Sequence, residues 1–210
     1  MGMLFTILMM ALNFGISWYN AHTVGKIWSE SKHMGKGTRA VTVSGYIMSI
    51  AGFTMVYSII IMLLLSYLGP NLMKMSPEDS AFLLQLVSDL SYVLIVITII
   101  PTGIIITVHS MISFWKRKSL RGGLIAGWNT FATVTNVISA ARNVPSAFSR
   151  IASSIKSQRG NSAIVLLALL IVLAAILGGY FTASAIMKRA DRKYDLYATV
   201  QTQNPAFSQG

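Results

Sequence analysis

From Val41 to Leu68 the chain runs without a charged side chain, and from Ser162 to Met187 it does so again. A helix needs roughly 20 apolar residues to cross the hydrocarbon core of a bilayer, so each stretch is long enough to span one. Two further apolar blocks, at about 3–19 and 90–115, bring the expected crossings to four. A buried core in a soluble domain shows apolar residues at helix or strand period, not in blocks of this length. Composition points the same way: 11% of the 210 residues are charged and 54% are hydrophobic, against about 25% charged in an average soluble domain. Composition and block length disfavour a soluble fold, and the chain reads as one membrane domain over 1–210, an all-α integral membrane bundle of four transmembrane helices.

The first block has no Lys or Arg before it and no small-x-small cleavage pattern after it, so it reads as a retained helix, not a signal peptide. Gly2 and Thr6 fit a loose myristoylation pattern, but an apolar helix follows at once. The second block ends at Gly69-Pro70-Asn71, where proline cannot continue the helix. Ser76-Pro77-Glu78-Asp79 then has the grammar of a helix start: a serine N-cap, proline in the first turn, and two carboxylates at the positive end of the dipole. Helical pattern continues from there to about Lys118. At 1.5 Å per residue that is roughly 60 Å, about twice a hydrocarbon core, so the third helix is extended beyond its span. Pro101 followed by Gly103 predicts a kink within it.

Net charge is +11 and the pI is about 10.1, a balance that raises nucleic acid as a partner in soluble proteins. Here the basic residues flank apolar blocks, where Lys and Arg set topology and meet anionic headgroups. They read as topological charges, with nucleic-acid binding set below that reading. Between Trp115 and Asn161 stand Lys116, Arg117, Lys118, Arg121, Arg142, Arg150, Lys156 and Arg159 with no acidic residue among them. Residues 20–39 carry Lys26, Lys32, Lys36 and Arg39 against Glu30, whereas the connector 69–88 has Lys74 against Glu78 and Asp79. The positive-inside rule thus places 20–40 and 116–160 in the cytoplasm and the N-terminus outside. The polar tail 188–210 then falls outside, yet Lys188, Arg189, Arg192 and Lys193 outnumber Asp191 and Asp195 there, a conflict with the rule. A fifth crossing by 122–141 would put Arg142 to Arg159 outside, which the same rule disfavours.

Within the basic segment, Phe131, Val134, Ile138, Ala141, Val144, Phe148, Ile151 and Ile155 recur every three or four residues, with Ser, Thr, Arg and Lys opposite. That pattern predicts an amphipathic helix that packs under the bundle, lies in the headgroup plane or docks on partner helices, broken or bent into two pieces at Pro145.

Residues for chemistry are few. There is no cysteine, hence no disulfide, thiolate ligand or thiol nucleophile, and no Asn-x-Ser/Thr sequon. His22, His33 and His109 stand apart, and no hydrolase, metalloprotease or phosphate-loop motif occurs. No charge lies deep in a span; Asp89 sits at the outer start of the third, beside Gln85 and Ser88, where hydration satisfies it and an ion path is the alternative. No cofactor, metal or catalytic residue is expected. Association features are more plentiful. Ala11-x-x-x-Gly15, Gly45-x-x-x-Ser49, Ala174-x-x-x-Gly178 and Ala175-x-x-x-Gly179-x-x-x-Ala183 put small residues on one helical face, where backbones can approach closely. Trp18, Tyr19, Trp28, Tyr67, Trp115 and Tyr180 suit interfacial belts at span ends.

The expectation is a non-catalytic membrane component that assembles with itself or with other membrane subunits, in contact with a bilayer of anionic headgroups. A channel, pore or small transporter subunit is the alternative, conducting along the Thr/Ser/Asn face of 129–139 or past Pro101 with Thr98 and Thr102. The absence of cysteines and sequons suits a bacterial cytoplasmic membrane or a virus that uses one.

Overall fold

The computed structural model describes residues 2–31, 33–72, 75–157 and 162–203. All of the regular structure in them is helical: α1 (Gly2–Ser31), α2 (Lys36–Leu72), α3 (Pro77–Arg117), α4 (Leu120–Ser157) and α5 (Ser162–Gln203). Four of these, α1, α2, α3 and α5, are long and apolar enough to cross a membrane. The chain is thus a transmembrane helical bundle. The shortest of the four, α1, has 30 residues, roughly 45 Å at 1.5 Å per residue, so every helix outruns a ~30 Å hydrocarbon core.

Local chemistry sets the helix ends. Ser76 is extended (φ −61°, ψ 152°), and its hydroxyl oxygen accepts from the Asp79 N–H at 3.1 Å, with Pro77 in the first turn and Glu78 and Asp79 at the positive pole. At the far end Lys116 and Arg117 occupy the negative pole, and Lys118 closes the helix in the left-handed region (φ 45°, ψ 34°), its N–H donating to the Phe114 carbonyl. Ser119 then caps α4 by accepting from the Gly122 N–H at 3.1 Å. Two residues therefore turn the chain through a helical hairpin, and a methyl at Gly123 would stand 3.0 Å from the Phe114 ring.

Successive helices run antiparallel. α2 and α5 form the middle, α1 packs on both from one side and α3 on both from the other, and α4 packs chiefly on the outer flank of α3. Two buried clusters hold this arrangement. Ala21, Phe53 and Ala183 join α1, α2 and α5, with Phe14 edge-on to Phe53. Leu83, Leu86, Val87, Ile164, Ala168 and Val172 join α3 to α5. Where lipid replaces water outside, such faces gain little hydrophobic drive, and close packing with hydrogen bonds supplies the attraction. Tyr57 accordingly shares a 2.8 Å hydrogen bond with Thr182, and Tyr46 shares one with Ser184.

The antiparallel order gathers the cations at one end. The α1–α2 and α3–α4 turns and the end of α5 bring together Lys26, Lys36, Arg39, Lys116, Arg117, Lys118, Arg121, Lys188, Arg189, Arg192 and Lys193, against Glu30 and Asp191. Asp191 accepts from the Ser29 hydroxyl at 2.7 Å, and Lys26 lies over the Tyr194 ring. Glu78 and Asp79 stand at the other end, on the first turn of α3.

Candidate functional site

α4 sets this bundle apart from a plain four-helix one. The sequence leaves the helix of residues 116–160 packed under the bundle, lying in the headgroup plane or docked on partner helices; the structure stands α4 against α3 along its length. Phe114 meets Gly123, the Thr107 hydroxyl bonds Thr133 at 2.9 Å and the Asn129 carbonyl at 3.0 Å, Gly103 faces Thr133, and Asp89 faces Arg150. The physical reason is a row of small side chains seven residues apart. Ala126, Thr133, Ala140 and Ala147 share one face, the three alanines are buried, and a seven-residue repeat keeps that face on a neighbouring helix. α4 is one continuous helix from Leu120 to Ser157 with Pro145 inside it, and α3 likewise runs on through Pro101.

The hairpin closes on an ion pair. The carboxylate of Asp89, 4% exposed, accepts from Arg150 Nη2 at 2.6 Å and Nε at 2.9 Å, and from Gln85 Nε2 at 3.0 Å. The fork of two parallel N–H groups fixes geometry as well as charge. Asp89 is therefore the anchor of α4, with its carboxylate committed to two side chains.

With the small residues turned to α3, the larger ones face outward. Leu124, Trp128, Phe131, Val134, Ile138, Phe148 and Ile155 are exposed, while Ile151 packs beside the α3–α5 cluster. On the opposite flank Asn129, Asn136, Asn143 and Arg150 repeat every seven residues, next to Thr135, Ser139, Ser146 and Ser153. Several of these polar groups bond locally: Asn143 donates to the Ser139 hydroxyl, and the Ser146 and Ser153 hydroxyls donate to carbonyls three residues back. Arg142 is exposed at the level where Ala140, Ala141, Val144 and Pro145 face Val96, Ile97 and Ile100. The other cations expected at a surface divide between the ends: Lys116, Arg117, Lys118 and Arg121 at the hairpin turn, Lys156 at the far end of α4, all exposed. Arg159 lies outside the described residues.

The small-residue patterns also sort by position. Ala175 and Ala183 are buried, and a methyl at Gly179 would stand 2.5 Å from Thr54 Oγ1 and 2.8 Å from the Ile50 carbonyl, so this row sits in the α2–α5 contact. Gly178 meets the Tyr57 ring, but Ala174 is exposed. Gly45 faces Val24 of α1, and Ser49 is buried with its hydroxyl on the Gly45 carbonyl. Ala11 and Gly15 are exposed, with nothing near Gly15. The packing face of α1 is Ser17, Ala21, Val24 and Gly25, where a methyl at Gly25 would collide with the Met187 carbonyl. Ser17-x-x-x-Ala21-x-x-x-Gly25 carries the same signal in the sequence, a row that spacing alone does not single out. Thr98 and Thr102 donate to carbonyls of their own helix, on Leu94 and on Thr98 and Ile99. Among the described residues no group of three or more His, Asp or Glu comes together as a metal site would require.

The class defined by these features is an all-helical integral membrane bundle with an appended, polar-flanked helix. No protein-family model, no curated protein and no solved structure matches this chain.

Proposed function

We propose that the chain is a non-catalytic multi-pass subunit of a membrane assembly, and that α4 is the helix it offers to a neighbour. The observation that carries this reading is the outward surface of α4. Alongside the apolar stretch of α3 it exposes a row of large apolar side chains and, beside that row, a second one of Asn, Ser, Thr135 and Arg142. Lipid suits the first row and penalises the second, since polar side chains at membrane depth seek protein partners. A second copy or another subunit packed on that flank satisfies both. The basic end, with Lys116 to Arg121 and the end of α5, then meets the anionic cytoplasmic leaflet.

In this reading α4 crosses with α3, the N-terminus lies outside, and the tail from Lys188 onward lies inside with the other cations. The chain lacks cysteine, so single cysteines placed at Ser119 and Lys193 report on sidedness through an impermeant maleimide. Both labelling from the same side supports five crossings; labelling from opposite sides refutes them. Gentle extraction followed by native mass measurement tests assembly. An oligomer or hetero-complex that dissociates with Arg142→Leu or Asn143→Leu supports the role of α4, and a lone monomer free of other chains overturns it.

The uncharged part of the polar row, from Asn129 to Ser139, favours a second reading in which several copies turn α4 inward around a water-filled path. Ion flux in liposomes that is lost with Asn136→Leu while the oligomer persists would select this reading over the first.

A further inference from the structure

Between α2, α3 and α4 lies a cavity of about 280 Å³. Its walls change character along its length. At the level of the first turns of the α3 apolar stretch they include Ser58, Ser88, Ser91 and Ser139, and toward the middle of the helix they become Ile95, Ile99 and Ile100, with Asn136 the one polar side chain there. Ser58 and Ser91 are 2% and 4% exposed, line this cavity, and have no hydrogen-bond partner among the described residues. Buried hydroxyls of this kind normally find a partner, and two around one cavity, one from α2 and one from α3, are an unmet demand for a ligand acceptor or donor. No ionised side chain lines the space, so a charged headgroup would enter without compensation.

We infer that this cleft holds one acyl chain of an uncharged glyceride, its ester or hydroxyl group bonded to Ser58 and Ser91 and its chain running toward Ile99 and Ile100. The depth matches. From Ser88 to Ile100 is roughly 18 Å along α3, starting where the span begins and ending near its middle, which is how a lipid of one leaflet is oriented. The volume lies just below the usual range of about 300–1,000 Å³ for ligand pockets, which suits a single chain and not a two-chain lipid. The inference rests on α3 crossing a bilayer with α4 beside it, and Asn136 and Ser139, which belong to the polar flank of α4, line the cleft as well.

The test is photo-crosslinking of the full chain in phosphatidylcholine vesicles with a monoacylglycerol that carries a diazirine midway along its chain. Cross-links are expected on the peptides holding Met55–Met62 and Ile95–Ile100, competed by excess monoolein. Ser58→Ala with Ser91→Ala should lower that labelling about tenfold, the loss of two neutral hydrogen bonds, and Ile99→Trp should abolish it by filling the cleft. Labelling of the exposed lipid face of α5 at Leu166, Leu169 and Leu173 stays unchanged in both variants if they fold, and its absence in the parent would refute the bilayer placement separately. Equal labelling by a diazirine fatty acid or a diazirine phosphatidylcholine would overturn the neutral-glyceride assignment. Labelling that monoolein does not compete, or that neither variant alters, would leave the cleft to water or bulk lipid and overturn the site.

Discussion

Arg150→Ala tests whether α4 is held against α3 by its ion pair. The substitution strands the Asp89 carboxylate, 4% exposed, with the Gln85 amide as its remaining side-chain partner. Breaking a buried pair from one side costs about 3–5 kcal/mol when the orphaned charge stays dry. The Arg150 side chain is 49% exposed, so water reaches the pair and the cost falls to about 2–3 kcal/mol. Asp89→Asn is milder, about 1 kcal/mol, because the guanidinium left behind can turn outward to solvent or headgroups. Combined, the two should cost about 2 kcal/mol instead of their sum, a coupling of about 1.5 kcal/mol. The readout is local: a cysteine at Ala147, which is fully buried on the face of α4 turned to α3, reacts with maleimide when the hairpin opens. A loss of about 2 kcal/mol raises its labelling rate about thirtyfold. Rates unchanged by Arg150→Ala, or single effects that add to within about 0.5 kcal/mol, would refute the claim that this pair fastens the helix.

Four further outcomes follow from the packing. Thr107→Cys with Thr133→Cys, whose hydroxyls now lie 2.9 Å apart, should form a disulfide within the chain on mild oxidation, seen as a mobility shift reversed by reductant; no shift would mean a different α3–α4 register. Gly179→Ala drives a methyl into the α2 backbone and should cost about 1–3 kcal/mol, measured by thermal unfolding in detergent. Gly15→Ala, with open space around it, should be neutral or stabilising by up to about 1 kcal/mol in the same assay, and a loss equal to that of Gly179→Ala would contradict the facing of α1. Lys118→Gly removes a non-glycine residue from the left-handed region and should stabilise the hairpin turn by about 1 kcal/mol, checked by the same unfolding.

How much of this was legible in the sequence depends on the kind of signal. Charge-free runs such as Val41–Leu68 are unambiguous, because a bilayer demands length and apolarity and little else. The start of α3 was equally plain, since Ser76, Pro77, Glu78 and Asp79 each act within one turn. Faces were harder. Ala11-x-x-x-Gly15 and Ser17-x-x-x-Ala21-x-x-x-Gly25 are equally good small-residue rows, and a 3.6-residue period names a face without naming its neighbour. The small row of α4 was hidden for the same reason: Ala126, Thr133, Ala140 and Ala147 lie among many Ala, Ser and Thr, while the eye follows Phe131 and Ile138. Asp89 and Arg150 are 61 positions apart, and no local pattern pairs them.

That hidden row also bears on the charge conflict. With α4 on the surface, the cations after Met187 fall on the opposite side from Lys116 and Arg121, against the positive-inside rule. With α4 beside α3, the end of α5 returns to the end that holds Lys26, Lys36 and the hairpin turn, and the rule holds for all of them. The sacrifice is Arg142, Arg150, Lys156 and, by its place in the sequence, Arg159, which then move away from the cytoplasmic end. Arg150 is neutralised by Asp89 and Lys156 lies at the helix end, where a long side chain reaches headgroups. If α4 crosses, Arg142 is left at depth with no ion pair among the described residues, and it stands on the flank of α4 that the proposal assigns to a neighbour. On the proposed reading the polar flank and the topology thus make one demand: a partner that supplies an acceptor, a carboxylate or a row of carbonyls, at the level of Val96 and Ile97.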